Sequence, residues 1–458
     1  MVKEQYDLLI IGTGAAGSSA ATTVAKNGRR LALVERNILG GTCLNYGCDP
    51  TKTLLHIAQL LYQANHAERY GLRIPTAIFE WKDVQTWVQQ VIKRLRGGTL
   101  EEAQTSLTRQ GIDLLHGEAT FVSPNQVLIA GQTISATQII IATGSETVVP
   151  PIEGLQEAGF ITNVQAVALP ALPRRLAVIG GGSIGIEFAQ MFHRFGVDLT
   201  VLERGPTILD KEDREMTENL SEMLKGEGIR LETNTEIKRV QLDGASKRLT
   251  LHCERAEEEL VVDEILLAVG RRPSFESLNL EAMGVKTTKK GIVVDATLRT
   301  TVPNIWAAGD GASEYQFTHV ASEQGKLAAR NAFTHEPQSF DDRVIPWVTF
   351  TNPTLAHVGK TEEQLQEEKV EYRVVNLSLR ENERAIMMDE TEGFVKLLVD
   401  AEDRILGAHI LASDGDNLLA PFVLAMQANI SISTLASTML PYPTLSEAVR
   451  QAANKLYQ

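Results

Sequence analysis

Short apolar runs alternate with helix-like stretches along most of the chain. The pattern predicts a strand over 6–11, a small-residue helix running to Asn27–Gly28, and a second strand over 31–34 that ends at Glu35. Helical periodicity follows at 54–70 and 80–110, then strand-like runs at 112–115, 126–129 and 138–141. The opening pattern then recurs: a strand over 176–179, a helix to Phe195–Gly196, and a strand over 199–202 ending at Glu203. Further strands are predicted at 264–269 and 304–307, and mixed helix and strand signals from Val344 onward predict another domain. The predicted class is α/β.

The two units share more than their pattern. An offset of 168 carries Gly12, Gly14, Gly17, Gly28 and Glu35 onto Gly180, Gly182, Gly185, Gly196 and Glu203. Strand, glycine turn, helix, strand and acid form the dinucleotide-binding unit. Its glycines admit a pyrophosphate to the helix N-terminus, and its acid accepts ribose hydroxyls. Two helix-packing turns without ligand would leave both acids unexplained. Two such sites suit an electron-transfer flavoprotein, one for FAD and one for NAD(P)H.

Composition narrows the classes. The 458 residues suggest about three domains. Lys and Arg number 44 against 58 Asp and Glu, and the resulting charge of −14 argues against nucleic-acid or anionic-membrane surfaces. The uncharged run 8–25 is rich in Gly, Ser and Thr, and 418–446 reads as a buried interface helix followed by a loop. No membrane segment is expected. Three cysteines are too few for a secreted disulfide framework, which points to a reducing, cytoplasmic setting.

Two of those cysteines, Cys43 and Cys48, stand between the turn Gly40–Gly41 and the helix-like run from Lys52. A dithiol at a helix start has its thiolate stabilised by unpaired N–H groups and the helix dipole. Cys253 ends a strand-like run and reads as packing. His56 reads as packed or solvent-facing rather than as a base, and Met387–Met388 as core or interface rather than soft metal ligands. No resident metal is expected.

With these residues in place the chain resembles the flavin-dependent pyridine nucleotide–disulfide oxidoreductases, which include dihydrolipoamide dehydrogenase, glutathione reductase and mercuric reductase. The resemblance runs end to end. It implies two Rossmann-like domains and a C-terminal α+β dimerisation domain: FAD domain 1–148, nested NAD domain 149–270, FAD domain resumed 271–342, and interface domain 343–458. It implies FAD contacts at Gly12, Gly14, Ala16, Gly17, Glu35, Arg36, Gly41, Thr42, Lys52, Ala119, Thr143, Gly144, Asp310, Phe317 and Thr318. The nicotinamide site would take Gly180, Gly182, Gly185, Glu203 and Gly270. By the same likeness Cys48 faces the flavin, Cys43 is the interchange thiol, and Lys52 and Glu187 form a buried ion pair beside the flavin. Electrons would pass from NADH through FAD to the dithiol and on to an acceptor, although in dihydrolipoamide dehydrogenases net flow runs toward NAD. Glu203 should accept the 2′-hydroxyl of NAD and repel the 2′-phosphate of NADP. Arg204 is no phosphate clamp on this reading, because Arg36 holds the same place in the FAD repeat.

The chain also departs from that family. Its disulfide-reducing members place a His before Pro-Thr near the C-terminus, which serves the partner's interchange thiol, with a Glu five positions on. Here Tyr442 holds that place before Pro443 and Thr444, Glu447 follows, and the last histidine is His409. A tyrosine with pKa ~10 is a poor base at neutral pH beside a histidine at ~6.5. Mercuric reductases share the Tyr, and Gln316–Phe317 resembles their sequence, but the C-terminal cysteine pair and the N-terminal metal-binding module of that branch have no counterpart here. A general acceptor (metal ion, quinone-like compound or unusual disulfide) is therefore expected, with dihydrolipoamide dehydrogenase and a flavin-bound redox sensor as alternatives. Asp49, where relatives carry an apolar residue, is expected either to raise the Cys48 pKa or to face solvent and cap the helix.

Overall fold

The computed structural model describes residues 5–25, 28–253 and 257–457. Its first sheet has seven strands, five of them parallel in the order Ile112–His116, Leu31–Glu35, Gln5–Ile11, Gln132–Ile141, Ile305–Ala307. The long strand Gln132–Ile141 serves two layers. Its first residues pair antiparallel with Gln126–Ile129, which pairs in turn with Ala119–Ser123. Its last three pair with Ile305–Ala307, so a segment distant in sequence completes the first sheet. Leu8, Leu9 and Ile10 are buried in succession, as expected for a parallel strand covered on both faces.

A second parallel sheet runs Arg230–Glu232, Asp198–Leu202, Arg175–Ile179, Glu264–Leu267, beside a three-stranded antiparallel meander over Glu236–Val262. A third sheet is antiparallel, in the order Pro346–Thr349, Thr354–Gly359, Ile405–Ala412, Phe394–Val399, Arg373–Ser378.

The 168-residue repeat holds at atomic detail. Gly12 and Gly180 have φ of 110° and 109°, and their N–H groups reach Val34 and Leu202 carbonyls at 2.9 Å in each case. A Cβ on Gly12 would meet the Ala142 carbonyl oxygen at 2.2 Å, and one on Gly180 the Ala268 oxygen at 2.4 Å. Both acids cap their own turns. Glu35 accepts from Thr13 and from Asn37 N–H, and Glu203 accepts from Gly181 and Gly205 N–H, again offset by 168.

Several predicted boundaries shift. The first helix spans Ala15–Val24, and Lys26–Asn27, where it was expected to finish, lie outside the described residues. The stretch at 54–70 belongs to a helix that starts earlier, Cys48–Asn65. The stretch at 80–110 is two helices, because Gly97 adopts φ +83° and Thr99 caps a new start through Glu102. The run 418–446 divides into helices Ala420–Gln427 and Ile432–Ser437. Among the described residues no helix is long and apolar enough to cross a membrane.

Candidate active site

Cys43 lies in a short helix, Gly41–Tyr46, entered through Gly40 at φ 102°, whereas Cys48 is the first residue of Cys48–Asn65. The dithiol therefore joins two helix segments rather than sitting at one helix start. Pro50 in the first turn of the second helix has no N–H to leave unsatisfied. Cys48 Sγ is 3.3 Å from Thr318 Oγ1. The two thiols are electrostatically unequal. A hydrogen bond from Cys43 is the largest influence on Cys48, and with the Thr318 hydroxyl and the Lys52 charge it lowers the Cys48 pKa to about 6 against the effect of burial. The same bond holds Cys43 protonated, far above the usual thiol range.

Asp49 acts in the expected direction on Cys48 but is outweighed, so the expectation of a disfavoured thiolate is corrected. Nor does Asp49 point freely to solvent or cap the helix. It is half-buried, lines the cavity described below, and has its own carboxyl pushed up by that burial.

Lys52, one turn along the same helix, donates to Glu187 Oε2 at 2.7 Å, and its ammonium sits 4.7 Å from the centre of the Phe350 ring. The other Glu187 oxygen accepts from Phe350 N–H at 2.9 Å. Glu187 is buried on the second unit's helix, Ser183–Arg194, so this pair ties dithiol helix, second unit and C-terminal domain together.

A cavity of about 1030 Å³ runs past these groups. It gathers most of the first-unit residues singled out from the sequence: Gly12, Gly14, Ala16, Glu35, Arg36, Gly41, Thr42, Ala119, Thr143, Gly144, Asp310, Phe317 and Thr318, with Cys43, Cys48, Lys52 and Glu187. Its size is at the upper end for ligand pockets, ~300–1,000 Å³. Gly17 stands beneath it, where a Cβ would come 1.9 Å from the Gly12 oxygen. Gly180, Gly182, Gly185, Glu203 and Gly270 lie outside it, but Ser183 and Ile184 of the second turn line it, so that turn opens toward the same space. Ala16 is held by close helix packing, since a Cβ on Gly325 would meet its carbonyl oxygen at 2.1 Å. The Ala16 contact fixes helix Thr318–Asn331 and with it Thr318.

Sequence reasoning missed several cavity residues. Arg271, directly after Gly270, is half-buried, its cation disfavoured by desolvation, and among the described residues it has no ion-pair partner. It donates to Ser145 Oγ and O at 2.9 and 2.6 Å, and the Ser145 hydroxyl donates to Asp310. Thr143 Oγ1 is buried and has no partner among the described residues. A half-buried unpaired cation, an orphaned hydroxyl and a Cβ-free approach between Gly14 and Gly41 fit an elongated, phosphate-bearing dinucleotide. His319 and Trp347 also line the cavity, and each stacks with Phe317, at 5.6 and 5.7 Å between ring centres. The signal for His319 was adjacency to Phe317 and Thr318, too slight to use alone, and Trp347 carried none.

The C-terminal candidates lie elsewhere on this chain. Tyr442 is 67% exposed and borders no part of the cavity. Glu447 is buried at the start of helix Glu447–Lys455 and is 3.4 Å from the Arg450 guanidinium. His56 is exposed on its helix, Met388 packs on the C-terminal core and Met387 is exposed. Cys253 follows the strand Ser246–His252 and accepts a long hydrogen bond from Thr235 at 3.8 Å.

Two matched glycine turns converging on one cavity, walled by a polarised dithiol, define a flavin- and nicotinamide-dependent dithiol oxidoreductase. The chain belongs to the pyridine nucleotide–disulphide oxidoreductase family, whose model matches residues 6–325 and whose dimerisation domain matches residues 345–453. Enzymes of this family use FAD and NAD(P)H. The chain is 36% identical to a mercuric reductase of Staphylococcus aureus over 98% of this chain and 82% of that one. It is also 36% identical to a dihydrolipoyl dehydrogenase of Thermus scotoductus, over 99% and 98%. Among solved structures it is similar to the Cu(II) complex of the HOCl-induced flavoprotein disulfide reductase RclA from Escherichia coli, with a TM-score of 0.88, 32% identity and full coverage of both chains.

Proposed function

We propose that this protein is an NADH-dependent reductase whose Cys43–Cys48 dithiol delivers electrons to a thiol-reactive metal ion, Cu(II) in the first instance. The observation that carries the reading is Tyr442. It stands where disulfide-reducing relatives keep a histidine, and no histidine follows His409. Without an imidazole to move the Cys43 proton, exchange with a disulfide substrate is slow. A metal ion can bind the Cys48 thiolate and displace the Cys43 proton on coordination, so it needs no separate base. The mercuric reductase and Cu(II)-bound relatives support this choice.

In this proposal residues 1–148 and 271–342 hold FAD, 149–270 hold NADH, and 343–458 pair two chains, bringing Tyr442 and Glu447 to the partner's Cys43. Gly12, Gly14 and Arg271 take the FAD pyrophosphate, Glu35 the ribose, Asp310 the sugar-alcohol chain, and Lys52 with Glu187 the flavin ring. Bound there, FAD would supply two-electron transfer between the nicotinamide and the Cys43–Cys48 disulfide. Cys48 then holds the negative charge, stabilised by Cys43, Thr318 and Lys52, while Cys43 keeps its proton until the acceptor arrives. Glu203 selects NADH. The setting is the cytoplasm.

The wild-type acceptor panel decides: Cu(II), Hg(II), lipoamide, glutathione disulfide and quinones, each with NADH. Cu(II) turnover well above lipoamide turnover supports the reading. Fast lipoamide turnover with none on Cu(II) assigns the chain to the alternative, dihydrolipoamide dehydrogenase, to which it is equally similar in sequence. No turnover on any acceptor favours the redox-sensor alternative.

A further inference from the structure

One row of residues crosses the C-terminal sheet on a single register: Trp347 opposite His357, His357 opposite His409, His409 opposite Lys396, Lys396 opposite Asn376. The acidic segment that opens helix Arg214–Glu227 of the second unit lies along it. Glu212 reaches Trp347 and His357, Asp213 reaches Lys396 at 2.9 Å, and Glu215 reaches Asn376 at 2.9 Å. Three acids, Asp213, Glu215 and Glu362, thus surround one lysine, with Lys396 2.6 Å from Glu362 and 3.2 Å from Glu215.

The end of this row next to the cavity has a hydrogen-bonding requirement of its own. His357 Nε2 is 2.8 Å from the Gly359 carbonyl oxygen, which can only accept, so Nε2 carries a proton. His357 Nδ1 then faces Glu212 Oε2 at 3.2 Å, and neither atom has another partner among the described residues. A neutral imidazole and an ionised carboxylate would set two lone pairs against each other in a buried site. One further proton between them removes that conflict, as imidazolium with carboxylate or imidazole with carboxylic acid. The other Glu212 oxygen accepts from Trp347 Nε1 at 2.7 Å, and the Trp347 and His357 rings stack with centres 3.7 Å apart. Trp347 is in turn part of the cavity wall beside Phe317.

We propose that Glu212 and His357 share one buried proton that fixes Trp347 as a wall of the cofactor cavity, which makes both of them positioning residues for the redox reaction. The groups facing the pair are Asp213 and Glu215 at the helix start, Glu362 on its helix, Lys396 and His409 on neighbouring strands, and Lys52–Glu187 and His319 on the cavity side. Burial favours the neutral form of His409, and its Nε2 proton is already committed to the Lys360 carbonyl, so His409 does not compete for the shared proton.

The test is a pH titration of the flavin spectrum in the oxidised holoenzyme, whose dithiol is a silent disulfide. The wild type is expected to change in a single step as rising pH removes the shared proton. Glu212→Gln offers an oxygen to Trp347 and an N–H to His357 without any extra proton. It should abolish the step. Trp347→Phe keeps an aromatic wall but loses the Nε1–H, and should also lose the step. A wild type with no step before global unfolding overturns the proposal, as does Glu212→Gln or Trp347→Phe titrating like the wild type.

Discussion

Lys52 and Glu187 meet at 2.7 Å across two helices that belong to different sheets, and Glu187 is almost wholly buried while Lys52 remains 34% exposed. Breaking a buried pair costs about 3–5 kcal/mol when one charge is left alone, and partial exposure of the lysine reduces that to about 1–3 kcal/mol here. Lys52→Met should lower unfolding stability in urea by that amount, and Glu187→Gln by less, because Gln still accepts from Phe350 N–H. Equal stability of Lys52→Met and wild type would remove the pair from any structural role.

The thiols should titrate apart. Cys48 is lowered to about 6, so its thiolate persists at neutral pH and is lost only as pH falls through that value. Cys43 is raised, so it stays protonated throughout. In reduced protein carrying Cys253→Ser, thiolate absorbance should show one titrating thiol with a midpoint near 6, against ~8.5 for an unperturbed cysteine. Removing the Lys52 charge should move that midpoint upward. A midpoint at the unperturbed value would contradict the described polarisation.

The two glycine turns can be separated by function. At Gly180 any side chain collides with the Ala268 carbonyl oxygen, as at Gly12 with that of Ala142. Gly180→Ala should therefore retain bound flavin yet lose NADH-driven flavin reduction, by about tenfold or more in kcat/KM. Gly12→Ala should lower flavin content itself. Loss of flavin in both variants would mean that the turns do not serve separate nucleotides.

Tyr442→His restores the imidazole found in disulfide-reducing relatives. Glu447 is positioned five residues on but engaged with Arg450. Lipoamide reduction should rise by about 10²-fold or more, the usual contribution of a positioned acid–base group, with Cu(II) reduction little changed. No gain on lipoamide would show that the missing base is not what limits disulfide exchange.

What could be read from the sequence was whatever depends on local backbone chemistry. The glycine turns, their acids and the dithiol are set by residues within one strand–turn–helix unit, and the 168-residue offset survives down to matched hydrogen bonds at Glu35 and Glu203. The Lys52–Glu187 contact came through the family likeness. The polar row from Trp347 to Asn376 was out of reach, because it depends on strand pairings between segments far apart in sequence. The same limit hid Arg271, whose burial arises from packing of the linker strand Arg271–Pro273 against Ser145–Thr147. The weight given to Asp49 was too great, because the competing Cys43 and Thr318 hydrogen bonds depend on tertiary placement.

In the proposed reaction electrons leave the flavin through Cys43 and Cys48 to a metal ion. The most direct measurement is an anaerobic titration of the holoenzyme with NADH, counting free thiols, followed by addition of Cu(II). The account predicts that NADH bleaches the flavin and exposes two thiols per chain, that Cu(II) then reoxidises both, and that Cys43→Ser abolishes the Cu(II) step while leaving flavin reduction intact. Flavin reduction without thiol exposure, or reoxidation by Cu(II) that is unaffected in Cys43→Ser, would contradict it.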